Sequence, residues 1–152
     1  FSRGAMPNLE MLNIGSNLIG NQGLAALAAP LRKLPTLEKL QIYECGIGHE
    51  GLASLVANLG KDDFKKLKKL DLDLNEMTDK GCATLVSALD EASMPNLTRL
   101  LAYTKKKFSE AAAQALRAAA DRRGISMMDI DDDVSHISGH GKEEDPDVGQ
   151  DL

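Results

Sequence analysis

Apolar residues recur along this chain in two alternating spacings. In LEMLNIGSNLIG, residues 9 to 20, Leu12 and Ile14 alternate with polar neighbours as a strand with one buried face does. Behind them, Leu24, Leu27 and Leu31 stand at i, i+3 and i+7, one stripe of a helix. The pair of patterns is then written again. LEKLQIYECGIG from residue 37 and LKKLDLDLNEMT from residue 67 supply Leu40 and Ile42, then Leu70 and Leu72. Their helical stripes are Leu52, Leu55 and Leu59, then Cys82, Leu85 and Leu89. A fourth copy, LTRLLAYTKKKF from residue 97, decays towards its end, with Ala102 in place of the second strand leucine.

The leading leucines, Leu9, Leu37, Leu67 and Leu97, are 28, 30 and 30 residues apart, and one further period of 28 lands on Ile125. ISMMDI then offers Ile125, Met128 and Ile130 as a fifth strand signature with no helix behind it. Periods of this size mean a solenoid. A strand, a helix and a second strand of the same sense predict a parallel sheet with right-handed crossovers. No single unit can bury its own stripe, so the core comes from stacking. Thr78 and Ser109 are predicted N-caps of the third and fourth helices, and Arg122, Arg123 and Gly124 mark the last helix's end.

The ninth position of each copy holds Asn17, Cys45 and Asn75. A side chain there points into the turn after the strand, where backbone groups otherwise lack partners, and Asn brings both donors and an acceptor. With LxxLxLxx(N/C)xI at this period, residues 6 to about 130 resemble a leucine-rich repeat protein of the ribonuclease-inhibitor-like type. The resemblance implies an α/β fold: a right-handed leucine-rich-repeat solenoid, or short horseshoe. It further implies a parallel concave sheet of about five strands with helices on the convex side. The fourth copy departs from it at Lys105, where Asn is expected, and its Ala-rich, more polar helix fits a terminal, capping repeat. RGAMPNL at 3 to 9 resembles EASMPNL at 91 to 97, which closes one repeat and opens the next. The expectation is therefore that the chain is a fragment or cleavage product, or that further repeats precede it in the parent protein; without such repeats, Leu9, Leu12 and Ile14 stand at an open edge.

In such a family the concave face binds partners, through the variable residues beside the motif leucines. Here they form columns. Met11, Lys39, Lys69 and Arg99 make the first; Asn13, Gln41, Asp71 and Leu101 the second; Gly15, Tyr43, Asp73 and Tyr103 the third. Ser16, Glu44, Leu74 and Thr104 follow at the strand exits. Both tyrosines of the chain fall in the third column, two columns from Lys, Lys and Arg, and Tyr and Arg are the types that most often anchor interfaces. The partner-binding candidates are thus Lys39, Gln41, Tyr43, Glu44, Lys69, Asp71, Asp73, Arg99, Leu101 and Tyr103. The competing reading is a merely solvated sheet in which Lys39 and Lys69 neutralise Asp71 across strands.

Charge divides the chain. Residues 131–152 hold eight acidic side chains and one Lys, a net of −7, leaving +2 on the remaining 130 residues of a chain whose total is −5. The division is a repeat domain over 1–130 and an acidic tail over 131–152, too polar to fold alone but able to order on a basic surface. KKLKK at 65 to 69 and KKK at 105 to 107 fall on opposite edges of the sheet, and aromatics are few, so a nucleic-acid partner is not expected. His136 and His140 beside Asp131, Asp132 and Asp133 have a metal-like spacing without a helix to orient them, and His49 fits a solvated turn. No triad, phosphate loop or cofactor motif is present, so no enzyme, metal or cofactor is expected. Cys45 and Cys82 form no disulfide framework; free buried thiols in a reducing, intracellular compartment, the cytoplasm or an organelle, are expected. No apolar run approaches the ~20 residues of a membrane span, nor is there a signal-peptide core.

The sequence reading is thus a non-enzymatic protein-interaction module, a structural or accessory subunit of a larger complex or a monomer that joins one. Tyr43 and Tyr103 would be its anchors. The alternative is a regulator of a small GTPase, since an activating-protein family joins repeats of this type to an acidic tail.

Overall fold

The computed structural model describes residues 8–104 and 108–128. Each copy of the pattern folds as one strand and one helix. The strands are β1 (Met11–Asn13), β2 (Lys39–Gln41), β3 (Lys69–Asp71) and β4 (Arg99–Leu101). The helices are α1 (Gly20–Arg32), α2 (His49–Val56), α3 (Asp79–Asp90) and α4 (Glu110–Arg122). The strands pair in parallel in chain order, and each helix packs on its sequence neighbour, as stacked repeats require.

Equivalent residues pair in register. Leu12, Leu40, Leu70 and Leu100 stand side by side across the sheet. The last three are fully buried and share one core with Leu24, Leu31, Leu52, Leu55, Cys82, Leu85, Leu89 and Leu116 from the helices. Strand side chains alternate between faces, so Lys39, Gln41, Lys69, Asp71, Arg99 and Leu101 face away from that core. The alternation expected from the sequence is what separates a helix face from a strand face.

The ninth-position residues bind the turns together. Buried Asn75 donates through Nδ2 to the carbonyls of Ile42 (2.9 Å) and Leu72 (3.0 Å), and its Oδ1 accepts from the N–H groups of Cys45 (2.8 Å) and Ile47 (3.1 Å). Cys45 Sγ contacts the Ile14 and Tyr43 carbonyls at 3.2 and 3.3 Å, and Asn17 donates to the Ile14 and Gly15 carbonyls. One amide therefore satisfies backbone groups of two successive repeats. Helix starts are tied similarly. Asn21 of α1 accepts from Gly48 and Gly51 at the start of α2, and Asp79 of α3 accepts from Ser109 at the start of α4.

Several expectations need adjusting. Four strands are present among the described residues, not five: Ser126 makes a single bridge to Arg99, and Met128 is two-thirds exposed rather than buried. Ser126 exchanges bonds with Thr98 and Leu100 before pairing stops. Helix α2 stops at Val56, short of Leu59, because Ala57 turns extended and Asn58 takes a positive φ of 55°. Ser109 caps α4 through its hydroxyl, which accepts from Ala112 at 3.1 Å, whereas Thr78 sits at the N-cap of α3 without a side-chain cap bond. Gly124, at φ 67°, ends the last helix as the sequence suggested, a conformation in which a Cβ would be strained. Lys105 to Lys107, Ile130, the N-terminal stretch through Pro7, and the tail with His136 and His140 lie outside the described residues.

One feature between repeats had no sequence signal. Arg32, at the end of α1, reaches forward to the carbonyls of Ser54 and Asn58 and to the carboxylate of Asp63 at 2.9 Å. Lys33 pairs with the other oxygen of Asp63. Burial raises the pKa of Asp63, but the bonds from Lys33, the Gly60 N–H and Arg32 outweigh it and hold the carboxyl at about 2. Phe64 follows with a positive φ of 49° and a fully buried ring. Arg123 repeats the device in the other direction, donating to the carbonyls of Leu89, Ser93 and Met94.

Candidate interaction face

The columns read from the sequence are rows of neighbours in the structure. Met11, Lys39, Lys69 and Arg99 are paired across β1 to β4, and so are Asn13, Gln41, Asp71 and Leu101. Beyond the strands the third column continues the ladder: Ser16 donates to the Tyr43 carbonyl, Glu44 to the Asp73 carbonyl, and Leu74 to the Tyr103 carbonyl. Ser16, Glu44 and Leu74 all have positive φ, between 52° and 61°, so each repeat turns away from the sheet at the same left-handed step.

Exposure divides the candidates. Tyr103 is 65% exposed, Glu44 is exposed, and Lys39, Tyr43 and Arg99 are half-buried. Gln41, Lys69, Asp71, Asp73 and Leu101 are buried, Lys69 to 3%. Two of these have a visible occupation in the sheet itself. Asp71 Oδ1 accepts from the Asp73 N–H at 3.0 Å, and Asp73 Oδ1 accepts from the Tyr103 N–H at 2.8 Å. Asn13 plays the Asp71 role for Gly15 in the first repeat, at 2.9 Å. These carboxylates satisfy backbone donors where the strand ends, the usual use of Asn and Asp in turns. The sequence carries that signal as N-x-G and D-x-D, which charge alone does not distinguish from a binding pattern.

Tyr43 lies across the backbone of Gly15, in space that a Cβ would occupy. Ser16 Oγ donates to Glu44 Oε1 at 3.1 Å alongside it. At the other end, Tyr103 borders a cleft of about 600 Å³ lined by Leu101, Phe108, Leu116, Met127 and Met128, with Glu110 and Arg117 at its polar side. Sequence reasoning missed this cleft. Phe108, Met127 and Met128 belong to the decayed fourth copy and the bridge that follows it, and only their adjacency in the fold makes a concavity. The face accordingly has one aromatic at each end.

Both cysteines are free and buried. Burial raises the thiol pKa of each, to about 11 in Cys82, where the charge of Asp79 adds to it. Among the described residues no group of three or more His, Cys, Asp or Glu side chains is placed to hold a metal ion. No described helix is long and apolar enough to cross a membrane.

A family model described as Leucine Rich repeat matches residues 5–28, 33–56 and 65–86. The fourth strand–helix unit, whose sequence had decayed, lies outside those matches although it stacks like the others. No curated protein sequence matches the chain. Among solved structures, that of Leiomodin-1 Actin-Binding Site 2 (ABS2) is similar, with a TM-score of 0.64 at 18% identity. The match covers 74% of this chain and 64% of that one, so the chain spans less than two-thirds of the structure it matches, and the likeness is one of fold. With three copies of the repeat matched over residues 5–28, 33–56 and 65–86 and asparagine-bound turns present in the structure, these residues form leucine-rich repeats.

Proposed function

We propose that the chain is a non-catalytic protein-interaction module that binds its partner on the strand face, with Tyr43 and Tyr103 as anchors and Lys39 and Arg99 as charged contacts. The observation that carries this reading is the position of Tyr103. A large aromatic, 65% exposed, stands between the strand face and an apolar cleft with Met128 at its rim. Exposed aromatics beside a concavity are the surfaces that interfaces bury, and Tyr contributes area at little entropic cost. Asp73 then acts as the frame that holds the Tyr103 backbone in place, and Asp71 as the frame that holds the Asp73 backbone, rather than as contacts.

The open edge of β1 is the second surface of the same module. Met11, 53% exposed, ends the strand-face row there, and β1 has no further strand beside it among the described residues. It suits a partner that docks end-on.

The test is affinity. Tyr43→Ala combined with Tyr103→Ala weakens partner binding by at most a few kcal/mol and leaves the fold intact. Actin is the first partner to assay, because the similar leiomodin structure is that of an actin-binding site. With a partner isolated in complex, cross-links from Lys39 to it support the strand face. Cross-links confined to the β1 edge, or unchanged affinity in the double variant, overturn the assignment of the face.

A further inference from the structure

We propose that α4 carries a self-recognition surface. Its flank bearing Glu110, Ala113 and Arg117, with the cleft beside it, takes the same flank of a second copy of this chain, antiparallel and about a two-fold axis. The inference stands on this flank alone and does not need the strand face to bind a partner.

The stack itself shows what this flank is built for. Buried Leu85, Ala88 and Leu89 of α3 correspond in spacing to buried Leu116, Ala119 and Ala120 of α4, which makes Glu110 the counterpart of Asp79 and Ala113 that of Cys82. In α3 those two positions hold the following helix. Asp79 accepts from the Ser109 N–H at 3.0 Å, and Cys82 reaches the Ala112 carbonyl at 3.1 Å. In α4 they line the cleft of about 600 Å³ together with Arg117, and no helix follows among the described residues. Helix α4 thus presents a helix-receiving flank on the side away from α3. Charge says which helix fits it. Glu110 and Arg117 are seven residues apart, two turns and roughly 10 Å along one flank, with the small Ala113 between them. Arg117 is exposed and has no ion pair or hydrogen bond among the described residues, while Glu110 accepts within its own helix, from Gln114 at 3.3 Å. A second α4 laid antiparallel puts Glu110 of each copy at Arg117 of the other. One sequence then supplies both halves of the contact, as an isologous interface requires. Apolar surface accompanies the charge: Met128 is two-thirds exposed, and Met127 and Phe108 are half-buried beside the cleft. The unbranched thioether of methionine adapts to an opposing surface, and an alanine at the crossing lets two helix axes approach to roughly 8 Å.

The consequence is competition at one residue. Tyr103 borders the same cleft, so a second copy seated there covers part of its ring. A partner anchored on Tyr103 must displace the second copy; one held by Tyr43 alone need not.

The experiment is sedimentation velocity of the full chain over roughly 1 to 500 μM, where mass action should carry the parent from the mass of one chain towards that of two. Glu110→Arg and Arg117→Glu each set like charges together at both ends of the antiparallel contact, and each should weaken association by at least about tenfold. An equimolar mixture of the two variants restores both pairs and should associate within a few-fold of the parent, as a heterodimer only. Both residues are exposed, so urea midpoints should stay near the parent's. Should Arg in the first turn of α4 unfold the helix, Glu110→Gln and Arg117→Gln carry the same test, each weakening association several-fold. A parent that remains a single chain throughout the range overturns the proposal. So does a dimer that the variants leave unchanged, which places the contact elsewhere, the β1 edge included. A mixture of folded variants that fails to recover also overturns it, since the two residues then do not meet reciprocally. The assay contains no other protein, so its failure leaves the tyrosine reading standing. Unchanged partner affinity in the Tyr43 and Tyr103 double variant would instead sink the tyrosine anchors alone.

Discussion

The ring of Tyr43 occupies the space where a side chain on Gly15 would be, so the first repeat shapes the aromatic of the second. The two residues share a column in the sequence, but the contact depends on the smaller one having no Cβ. In Gly15→Ala the methyl displaces the ring towards solvent. Tyr43 is half-buried and can swing outward, and Ala restricts the unfolded chain, so stability should change by less than about 1 kcal/mol. With two tyrosines and no Trp in the chain, acrylamide quenching of tyrosine emission reads the displacement directly. Increased quenching with an unchanged urea midpoint is expected; quenching identical to the parent would mean that the ring does not lie over Gly15.

The asparagines at the ninth position are not equal. Asn75 is fully buried and serves carbonyls of Ile42 and Leu72 together with N–H groups of Cys45 and Ile47. Asn75→Ala leaves those groups unsatisfied in the interior, at a cost on the order of 3 kcal/mol. Asn17 is exposed and bonds two carbonyls that water can reach, so Asn17→Ala should cost about 1 kcal/mol. Urea denaturation of the two variants orders them. Equal losses would show that the Asn75 turn opens to water as readily as the Asn17 turn.

How much of this was legible in the sequence depends on whether the determining interaction repeats. The strand leucines, the helical stripes and the Asn–Cys–Asn series recur at 28 to 30 residues, and the structure has them in register. The shared column of Tyr43 and Tyr103 is legible in the same way. Lys69 was also placed correctly in its column, but its burial was not legible, because periodicity assigns a face and says nothing of what covers it. The Arg32–Asp63 pair joins residues 31 apart with no pattern to link them, and the buried positive-φ step at Phe64 recurs at Met94 with a different residue type, so neither was legible as a repeat. Asp71 and Asp73 looked like charge, yet Asp71 accepts from the backbone N–H two residues on and Asp73 from that of Tyr103 in the next repeat, targets that residue type alone does not announce. The cleft beside Tyr103 needs Phe108 and Met127 brought together by the fold, and no spacing announces that.

Cys82 donates its thiol towards the Ala112 carbonyl at 3.1 Å, between α3 and α4. Burial first, and the nearby charge of Asp79 second, push its pKa to about 11, two units above the ordinary value of 9.0. The thiolate is the reacting species, so at pH 8 the folded protein should modify Cys82 about a hundredfold more slowly than the unfolded chain. Burial raises Cys45 in the same direction. Labelling with a chromogenic disulfide in buffer and in urea checks this. Rapid, stoichiometric modification of the folded protein would show that the α3–α4 contact opens readily.

Asp63 gives the fold a specific sensitivity to acid. Its carboxyl stands at about 2 in the folded chain against an ordinary 3.8, a difference of nearly two units. Because the folded pKa is depressed, the unfolded chain takes up the proton first as pH falls. The stabilisation is therefore fully present above about pH 5, declines as pH passes from 3.8 towards 2, and is gone below both values. At about 1.4 kcal/mol per unit it amounts to roughly 2 kcal/mol, a large fraction of a small domain's stability. Asp79 also has a lowered pKa, through its bonds from Ser109, so a pH profile of the parent alone would mix the two. Asp63→Asn separates them. That variant should be less stable at neutral pH, since it leaves Arg32 half-buried without its carboxylate, and its urea midpoint should fall less steeply than the parent's between about pH 5 and pH 2. Parallel profiles in the two proteins would mean that the Arg32–Asp63 pair contributes no net stabilisation and only fixes the path of the connection into β3.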